Sequence, residues 1–160
     1  MYQLEVKRYL TEYRFPPSNG WKVSVHLDPM ERAEGGQHSP DKKSRVTDAE
    51  GWLVAAGVNI EIHPEFGPAD LVATKPDAET VVVEVEGDSS RQKEQALYSA
   101  LGQIVLQMRG DDDIRFGLAV PDTSSWEQQL GKIPAYVREQ LSLTLWLVNK
   151  AGVRELNRPE

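Results

Sequence analysis

The sequence predicts an α/β domain in which helices flank a central mixed sheet. Residues 67 to 87 contain two extended segments joined by a turn signal at residues 75 to 78, which indicates an antiparallel hairpin. Farther along, the strand predicted at residues 114–120 is about twenty residues from the next, at 141–148. A connection of that length suits parallel strands joined by a crossover. At 160 residues, the chain has the size of one domain.

The N-terminal residues 1–46 are predicted to form an extension of this core. Leu4 to Tyr13 fits either a short helix or a strand, whereas Trp21 to Leu27 alternates in the manner of a strand. Residues from about 28 to 45 contain two glycines and two prolines and have no apolar period. We therefore expect a mobile loop there.

The predicted core, residues 47–149, opens with a helix. Thr47-Asp48-Ala49-Glu50 fits a capping box, and Gly57 provides the stop signal. Val58 to Ile62 is predicted as a short strand that precedes the hairpin.

The second half of the chain is predicted to alternate helices and strands. A serine at residues 89–90 caps a helix that runs to about Met108. A capping box at residues 124–127 starts the next helix, which Pro134 interrupts or restarts. Residues 153–156 are expected to add an edge strand.

The acidic excess is concentrated around the hairpin. The net charge is −7, and residues 51–90 carry one basic side chain, Lys75, against eight acidic ones, while the rest of the chain is balanced. This distribution argues against a general basic surface for nucleic acid. It also suits a metal site for phosphate chemistry, because a bound cation reverses the local charge.

The hairpin register brings carboxylates together. If the turn is centred on Asp77, Asp70 stands opposite Glu84, and Glu86 points to the same face as Glu84. Like charges in this position destabilise a sheet unless they are exposed or share a cation. A solvated acidic face is one interpretation. The valines within residues 81–85 favour burial instead, and buried acids need partners.

Composition limits the chemistry of such a site. The chain has no cysteine, and its three histidines lack the HExxH spacing, so an oxygen-ligated cation, Mg²⁺ or Mn²⁺, is the expected cofactor. The sequence has no run of eighteen apolar residues and no signal peptide pattern. We expect a soluble, cytoplasmic protein that does not contact a membrane.

At this point the core resembles the restriction-endonuclease-like superfamily, the PD-(D/E)XK nucleases. Gly67-Pro68-Ala69-Asp70 matches the first acid, and Val81 to Gly87 matches the (D/E)XK strand. The resemblance implies a core of a helix, a three-stranded antiparallel meander, a second helix and further strands. It also implies metal-dependent hydrolysis of phosphodiesters in nucleic acid, with DNA favoured over RNA.

The resemblance further implies the roles of individual residues. Asp70, Glu84 and the backbone carbonyl of Val85 would hold the metal, and Glu50 in the preceding helix is a weaker additional ligand. Asp70, Glu84 and Glu86 would form the catalytic group.

One residue departs from the family pattern. Glu86 stands where the pattern has lysine, and a carboxylate cannot stabilise developing negative charge as a cation does. Arg91 and Lys93 are the candidate replacements. Together with Gln95 and Gln103 on the following helix, they are also the candidate contacts to substrate.

Two other functions remain open. A catalytically silent relative would keep the fold as a binding or protein-interaction module, and a homodimer or a protein partner fits that reading. An unrelated α/β domain would leave the acids on its surface. The nuclease-like interpretation requires the strands of Asp70 and Glu84 to be adjacent, with the strand at 114–120 parallel and next to that of Glu84.

Overall fold

A seven-stranded sheet organises the chain in the computed structural model, which describes residues 1–88, 92–110 and 113–156. The α-helices are α1 (Gln3–Arg14), α2 (Pro40–Ala55), α3 (Lys93–Gln107), α4 (Ser124–Leu130) and α5 (Ala135–Gln140). The strands are β1 (Lys22–Val25), β2 (Asn59–Ile60), β3 (Leu71–Lys75), β4 (Glu79–Val85), β5 (Ile114–Pro121), β6 (Leu143–Asn149) and β7 (Gly152–Glu155). A 3₁₀ turn, Pro17–Asn19, connects α1 to β1.

The sheet is mixed, with the order β2-β1-β3-β4-β5-β6-β7. β3 lies between β1 and β4 and is antiparallel to both, whereas β4, β5 and β6 run parallel. The predicted α/β class, the hairpin and the parallel crossover are therefore confirmed. Both strand relations that the nuclease-like interpretation required are present: β3 lies beside β4, and β5 lies parallel to β4 on its other side.

The N-terminal region is built into the sheet and its helical layer. The segment for which helix and strand were both open is the helix α1, and β1 is the neighbour of β3 in the sheet. The predicted start of the next helix at Thr47 is wrong. α2 begins at Pro40, because the Ser39 side chain accepts a hydrogen bond from the Lys42 N–H and proline suits the first helical turn.

The later elements differ from prediction mainly at their ends. The predicted serine cap at residues 89–90 lies outside the described residues, and α3 begins at Lys93. α4 is capped by Thr123, whose side chain accepts from the Trp126 N–H, and α5 restarts after Pro134 as expected. The predicted edge strand is β7. In the described part of the chain, no helix is both long and apolar enough to cross a bilayer.

Two hydrophobic layers cover the two faces of the sheet. Val81, Val83 and Val85 of β4 pack into the layer that contains α1 and α2, while Val82 packs into the layer of α3 and α4. This alternation follows from the pleat of the strand. β4 is thus buried on both faces, as its valines predicted.

Gly117 in β5 should be intolerant of a side chain. A Cβ atom at this position would lie 2.0 Å from Cζ3 of Trp146, a buried ring on the neighbouring strand. We expect Gly117→Ala to lower the free energy of unfolding in urea by about 3 kcal/mol through overpacking. Gly152→Ala, also in a strand but with open space around the new Cβ, should change it by less than about 0.5 kcal/mol. Equal effects of the two substitutions would contradict this.

Candidate functional site: an acid pair and a buried lysine

Asp70 and Glu84 form what we call the acid pair at the end of the hairpin. The turn is centred on Asp77, which adopts a left-handed conformation with φ of 62°. Leu71 pairs with Val83, so the same register carried one residue further sets Asp70 opposite Glu84. The predicted register is confirmed.

A lysine from the N-terminal helix points into this site. Lys7 of α1 is completely buried, and its Nζ atom lies 2.8 Å from Oδ1 of Asp70 and 2.7 Å from Oε1 of Glu31. Nζ also donates to the backbone carbonyl of His26 at 2.7 Å. These three acceptors match the three N–H donors of an ammonium group. Lys7 is therefore held as a fully satisfied buried cation.

The packing of α1 explains why Lys7 reaches the acids. Leu4 and Leu10, each three residues from Lys7, are buried in the same layer, so the lysine lies on the inward face of the helix. Gly87, just beyond β4, permits the approach: a Cβ atom there would stand 2.6 Å from the backbone nitrogen of Gln3. The start of α1 thus packs directly against the chain leaving β4.

An ion pair between helices fixes the same end of α1. Both carboxylate oxygens of Glu5 accept from the guanidinium of Arg45 in α2, at 2.8 and 2.6 Å. Oε2 of Glu5 also accepts from the Tyr2 N–H. This bidentate contact fixes geometry as well as adding energy.

Both carboxylate oxygens of Asp70 accept hydrogen bonds. Oδ1 accepts from Nε2 of Gln3 at 3.2 Å in addition to Lys7, and Oδ2 accepts from the Val85 N–H at 2.9 Å. The N–H and C=O of one residue in an extended strand point to the same side. The Val85 carbonyl, predicted as a metal ligand, therefore lies on the edge of β4 that faces Asp70.

Glu84 is the most deeply buried acid of the pair. Glu84 is only 2% exposed. Its Oε1 atom accepts a hydrogen bond from Nε2 of Gln107 in α3 at 2.9 Å. Burial, the negative charge of Asp70 and a hydrogen bond with that residue raise the pKa of Glu84 to about 9. Without a further cation, Glu84 is thus protonated at neutral pH.

The carboxyl groups of Glu86 and Glu31 lie close enough to Asp70 and Lys7 for those charges to shift their pKa values. Burial, followed by the charge of Asp70, raises the pKa of Glu86 to about 7. Burial also raises the pKa of Glu31, although Lys7 acts in the opposite direction. Burial alone would lower the pKa of Lys7, but the charges of Asp70 and Glu31 outweigh it and raise that pKa. Lys7 is thus paired with Asp70 and Glu31, and its charge also lowers the pKa of Glu84 and Glu86, but by less than burial and Asp70 raise it.

Several predicted site residues lie elsewhere. The carboxylate of Glu50, the weaker predicted ligand, accepts two hydrogen bonds from Arg32 at 3.0 and 2.9 Å. The ammonium group of Lys93 lies 5.5 Å from the ring centroid of Trp126, not at the acid pair. Arg91 lies outside the described residues. The predicted substrate contacts Gln95 and Gln103 are exposed on α3.

Sequence reasoning missed the cation and its partner acid. Lys7 and Glu31 come from the region that was predicted to be an extension of the core. The available signal was a lysine in the apolar stripe between Leu4 and Leu10. Among the described residues, the structure contains no group of three or more His, Cys, Asp or Glu side chains arranged to hold a metal ion.

Comparisons with known proteins give no relative from which to infer a function. No family model matches the chain. No curated protein matches it, and no solved structure does so either. The fold class is α/β with a mixed seven-stranded sheet, and a fold class alone does not define a function.

The raised pKa of Glu84 predicts a specific pH dependence of stability. Because the folded protein holds a proton that the unfolded chain loses above its ordinary pKa of 4.5, the contribution is complete below that pH and is lost as pH rises toward about 9. In EDTA, we expect the free energy of unfolding to fall between pH 7 and 9, as measured by urea denaturation. Glu84→Gln should abolish most of this fall.

Glu86, whose pKa is raised to about 7, also makes the free energy of unfolding fall as pH rises, but over a lower pH range. This contribution remains in the Glu84→Gln variant. Glu34→Gln, at an exposed glutamate, is the matched control and should keep the wild-type profile. Parallel profiles of wild type and Glu84→Gln between pH 7 and 9 would refute the assignment.

Removal of the buried cation should cost more at high pH than at low pH. Lys7→Met leaves Asp70 and Glu31 without their shared cation, and we expect a loss of about 3–5 kcal/mol at pH 8. The loss should shrink at pH 5, because burial raises the pKa of Glu31 and a protonated Glu31 no longer needs the cation. Urea denaturation at both pH values tests this, with Lys22→Met at an exposed lysine as the control. A loss independent of pH would contradict it.

Proposed function

We propose that this protein is a divalent-metal-dependent nuclease that hydrolyses phosphodiesters in DNA. The observation that carries the proposal is the contact between Lys7 Nζ and Asp70 at 2.8 Å, next to the paired Glu84. Two acids for a metal and one cation beside them are the charges that phosphodiester hydrolysis requires. The order β3, β4, α3, β5, β6 further supports a restriction-endonuclease-like core.

The donor set fits Mg²⁺ or Mn²⁺. Asp70, Glu84 and the Val85 carbonyl are all oxygen donors, which hard cations prefer. Two carboxyl groups face each other, and burial together with the charge of Asp70 favours a proton on Glu84 when no metal is bound. When bound, the metal would lower the pKa of a water molecule and stabilise negative charge on the phosphate.

Lys7 would take the role that the family pattern gives to the lysine at position 86. Its ammonium group is fixed by packing and by three acceptors, so it is preorganised to stabilise negative charge that develops on a nearby phosphate. Glu86, half-buried and with a pKa of about 7, can accept a proton from an attacking water. In this proposal, Lys7 stabilises the negative charge and Glu86 accepts the proton, whereas the family pattern has one lysine near the phosphate.

Contacts to the substrate are proposed on α3. Gln95 and Gln103 are exposed and carry neutral amide donors, which suit phosphate and sugar oxygens without adding charge. Lys93, the first residue of α3, and Arg91, which precedes it in the sequence, remain proposed contacts to substrate.

A catalytically silent binding module is the second candidate. It is favoured by the ion pairs of Lys7 with both Asp70 and Glu31, which already compensate much of the acidic charge. In a silent module this network would serve the fold alone. The two candidates differ in whether the site takes up a cation.

Calorimetric titration with Mg²⁺ and Mn²⁺ separates the candidates. Wild type should bind one ion at millimolar concentration or below at pH 7.5, and Glu84→Ala should show no binding heat. Because the free site holds a proton on Glu84, binding should release about one proton per ion, seen as a dependence on the ionisation enthalpy of the buffer. Cleavage of plasmid DNA in Mn²⁺ should be lost in Glu84→Ala and in Lys7→Met.

The exposed Glu34→Gln variant should bind and cleave as wild type does. No binding heat from wild type at millimolar metal, together with intact plasmid, would exclude the nuclease and leave the silent module. Metal binding without cleavage would contradict the catalytic roles proposed for Lys7 and Glu86 and leave the metal site itself supported.

A further inference from the structure

A cleft of about 330 Å³ lies beside the acid pair, where the starts of α1 and α2 meet the chain that connects β1 to α2. We call it the Tyr2 cleft, and the residues that line it include Tyr2, Gln3, Asp28, Met30, Glu31 and Lys42. Two of these side chains connect the cleft to Asp70. Gln3 donates to Oδ1 of Asp70, and Glu31 accepts from Lys7, which also contacts Asp70. The cleft therefore lies next to the proposed site of phosphodiester cleavage.

Lys42 is the cation of this cleft. Its ammonium group donates to the backbone carbonyl of Met30 at 3.0 Å, and within the described part of the chain it forms no ion pair with a carboxylate. An ammonium group has three N–H donors, so two of them remain for a ligand. A positive group with donors to spare suits a phosphate oxygen.

Tyr2 provides an aromatic wall whose position is fixed by its neighbours. Its hydroxyl group donates to Asp41 at 3.3 Å, and the guanidinium of Arg45, itself held by Glu5, lies 4.8 Å from the ring centroid. The ammonium group of Lys42 lies 5.8 Å from the same centroid. An aromatic ring beside a cation is an arrangement with which proteins bind unpaired nucleotides, because every base has a π face and every nucleotide has a phosphate.

The two acids of the cleft are compatible with a nucleotide. Glu31 accepts from Lys7 at 2.7 Å, so its charge is already paired. Asp28 is exposed, and one of its carboxylate oxygens accepts from the Glu31 N–H at 2.8 Å. A carboxylate is also an acceptor for the exocyclic amino group of a base. The lining thus offers a cation for the phosphate, a ring for the base and an acceptor for the base edge.

We propose that the Tyr2 cleft binds one unpaired nucleotide of a DNA strand whose neighbouring phosphodiester lies at the acid pair. This inference rests on the proposed function, because it takes the acid pair as the place of cleavage. The volume of the cleft is at the small end of ligand sites, which span about 300–1,000 Å³, and suits one nucleotide better than a base pair. The substrate class is therefore single-stranded DNA. Negative supercoiling favours local unpairing, so a plasmid is also a substrate.

Fluorescence anisotropy with a labelled single-stranded oligonucleotide of mixed sequence tests the proposal. Ca²⁺ replaces Mg²⁺, so that binding is measured apart from cleavage. Lys42→Ala should raise the dissociation constant by about ten-fold, because a charge-assisted contact is lost. Lys43→Ala removes the same charge from the adjacent, exposed residue outside the cleft. At physiological salt, which screens exposed charges, it should change the dissociation constant by less than about two-fold.

The aromatic wall is tested in the same assay. Tyr2→Leu should raise the dissociation constant by about ten-fold through the loss of contact with the base. Tyr2→Phe keeps the ring and should bind as wild type does. The thermal unfolding midpoint of each variant shows whether it is folded, and Lys42→Ala, on the surface of α2, tests the cleft independently of Tyr2.

Three results would overturn the proposal. They are a wild type that does not bind the single strand, equal dissociation constants for Lys42→Ala and Lys43→Ala, and a linear duplex of the same sequence bound as tightly as the single strand.

Failure of the proposed function would give a different result. Absence of metal-binding heat and an intact plasmid, with the difference between Lys42→Ala and Lys43→Ala preserved, would remove the cleavage step and support the nucleotide site. Metal-dependent cleavage of single strands without that difference in binding would support the nuclease and overturn the role of the Tyr2 cleft.

Discussion

The ammonium group of Lys7 is the contact on which the acidic end of the sheet depends. It joins α1 to three other segments: the chain leaving β1 at His26, the turn at Glu31 and the start of β3 at Asp70. Each partner is an oxygen that would otherwise be buried without a donor or beside like charge. Burial of an unpaired charge costs several kcal/mol, so α1 and the acids stabilise one another only as a set.

The charge balance of this set explains the protonation of its members. One buried cation cannot neutralise Asp70, Glu31, Glu84 and Glu86 together. Asp70 holds the best position, with contacts from Lys7, Gln3 and the Val85 N–H, and its negative charge then raises the pKa of Glu84 and of Glu86. Under the proposed function, a bound divalent cation would replace the proton on Glu84 in balancing this excess charge.

The sequence allowed prediction of the hairpin and the acid pair because both are local. The turn around Asp77 sets the register, and the register sets Asp70 against Glu84. Lys7 escaped prediction because its partners are distant in sequence and depend on how α1 packs. The early start of α2 was missed although Ser39 and Pro40 carry a start signal, because the glycines just before them favoured a loop.

The glutamate at position 86 does not by itself argue against catalysis. An electrostatic field depends on where a charge lies and not on which segment carries it, so a cation from α1 can replace one from β4. What matters is whether Lys7 is free to contact a phosphate while all three of its N–H groups are engaged. Glu31 is the partner easiest to release, because burial favours its neutral form and a protonated carboxyl group attracts Lys7 less. Exchange of Glu31 for a phosphate oxygen would keep Lys7 charged and paired throughout, since one negative partner replaces another.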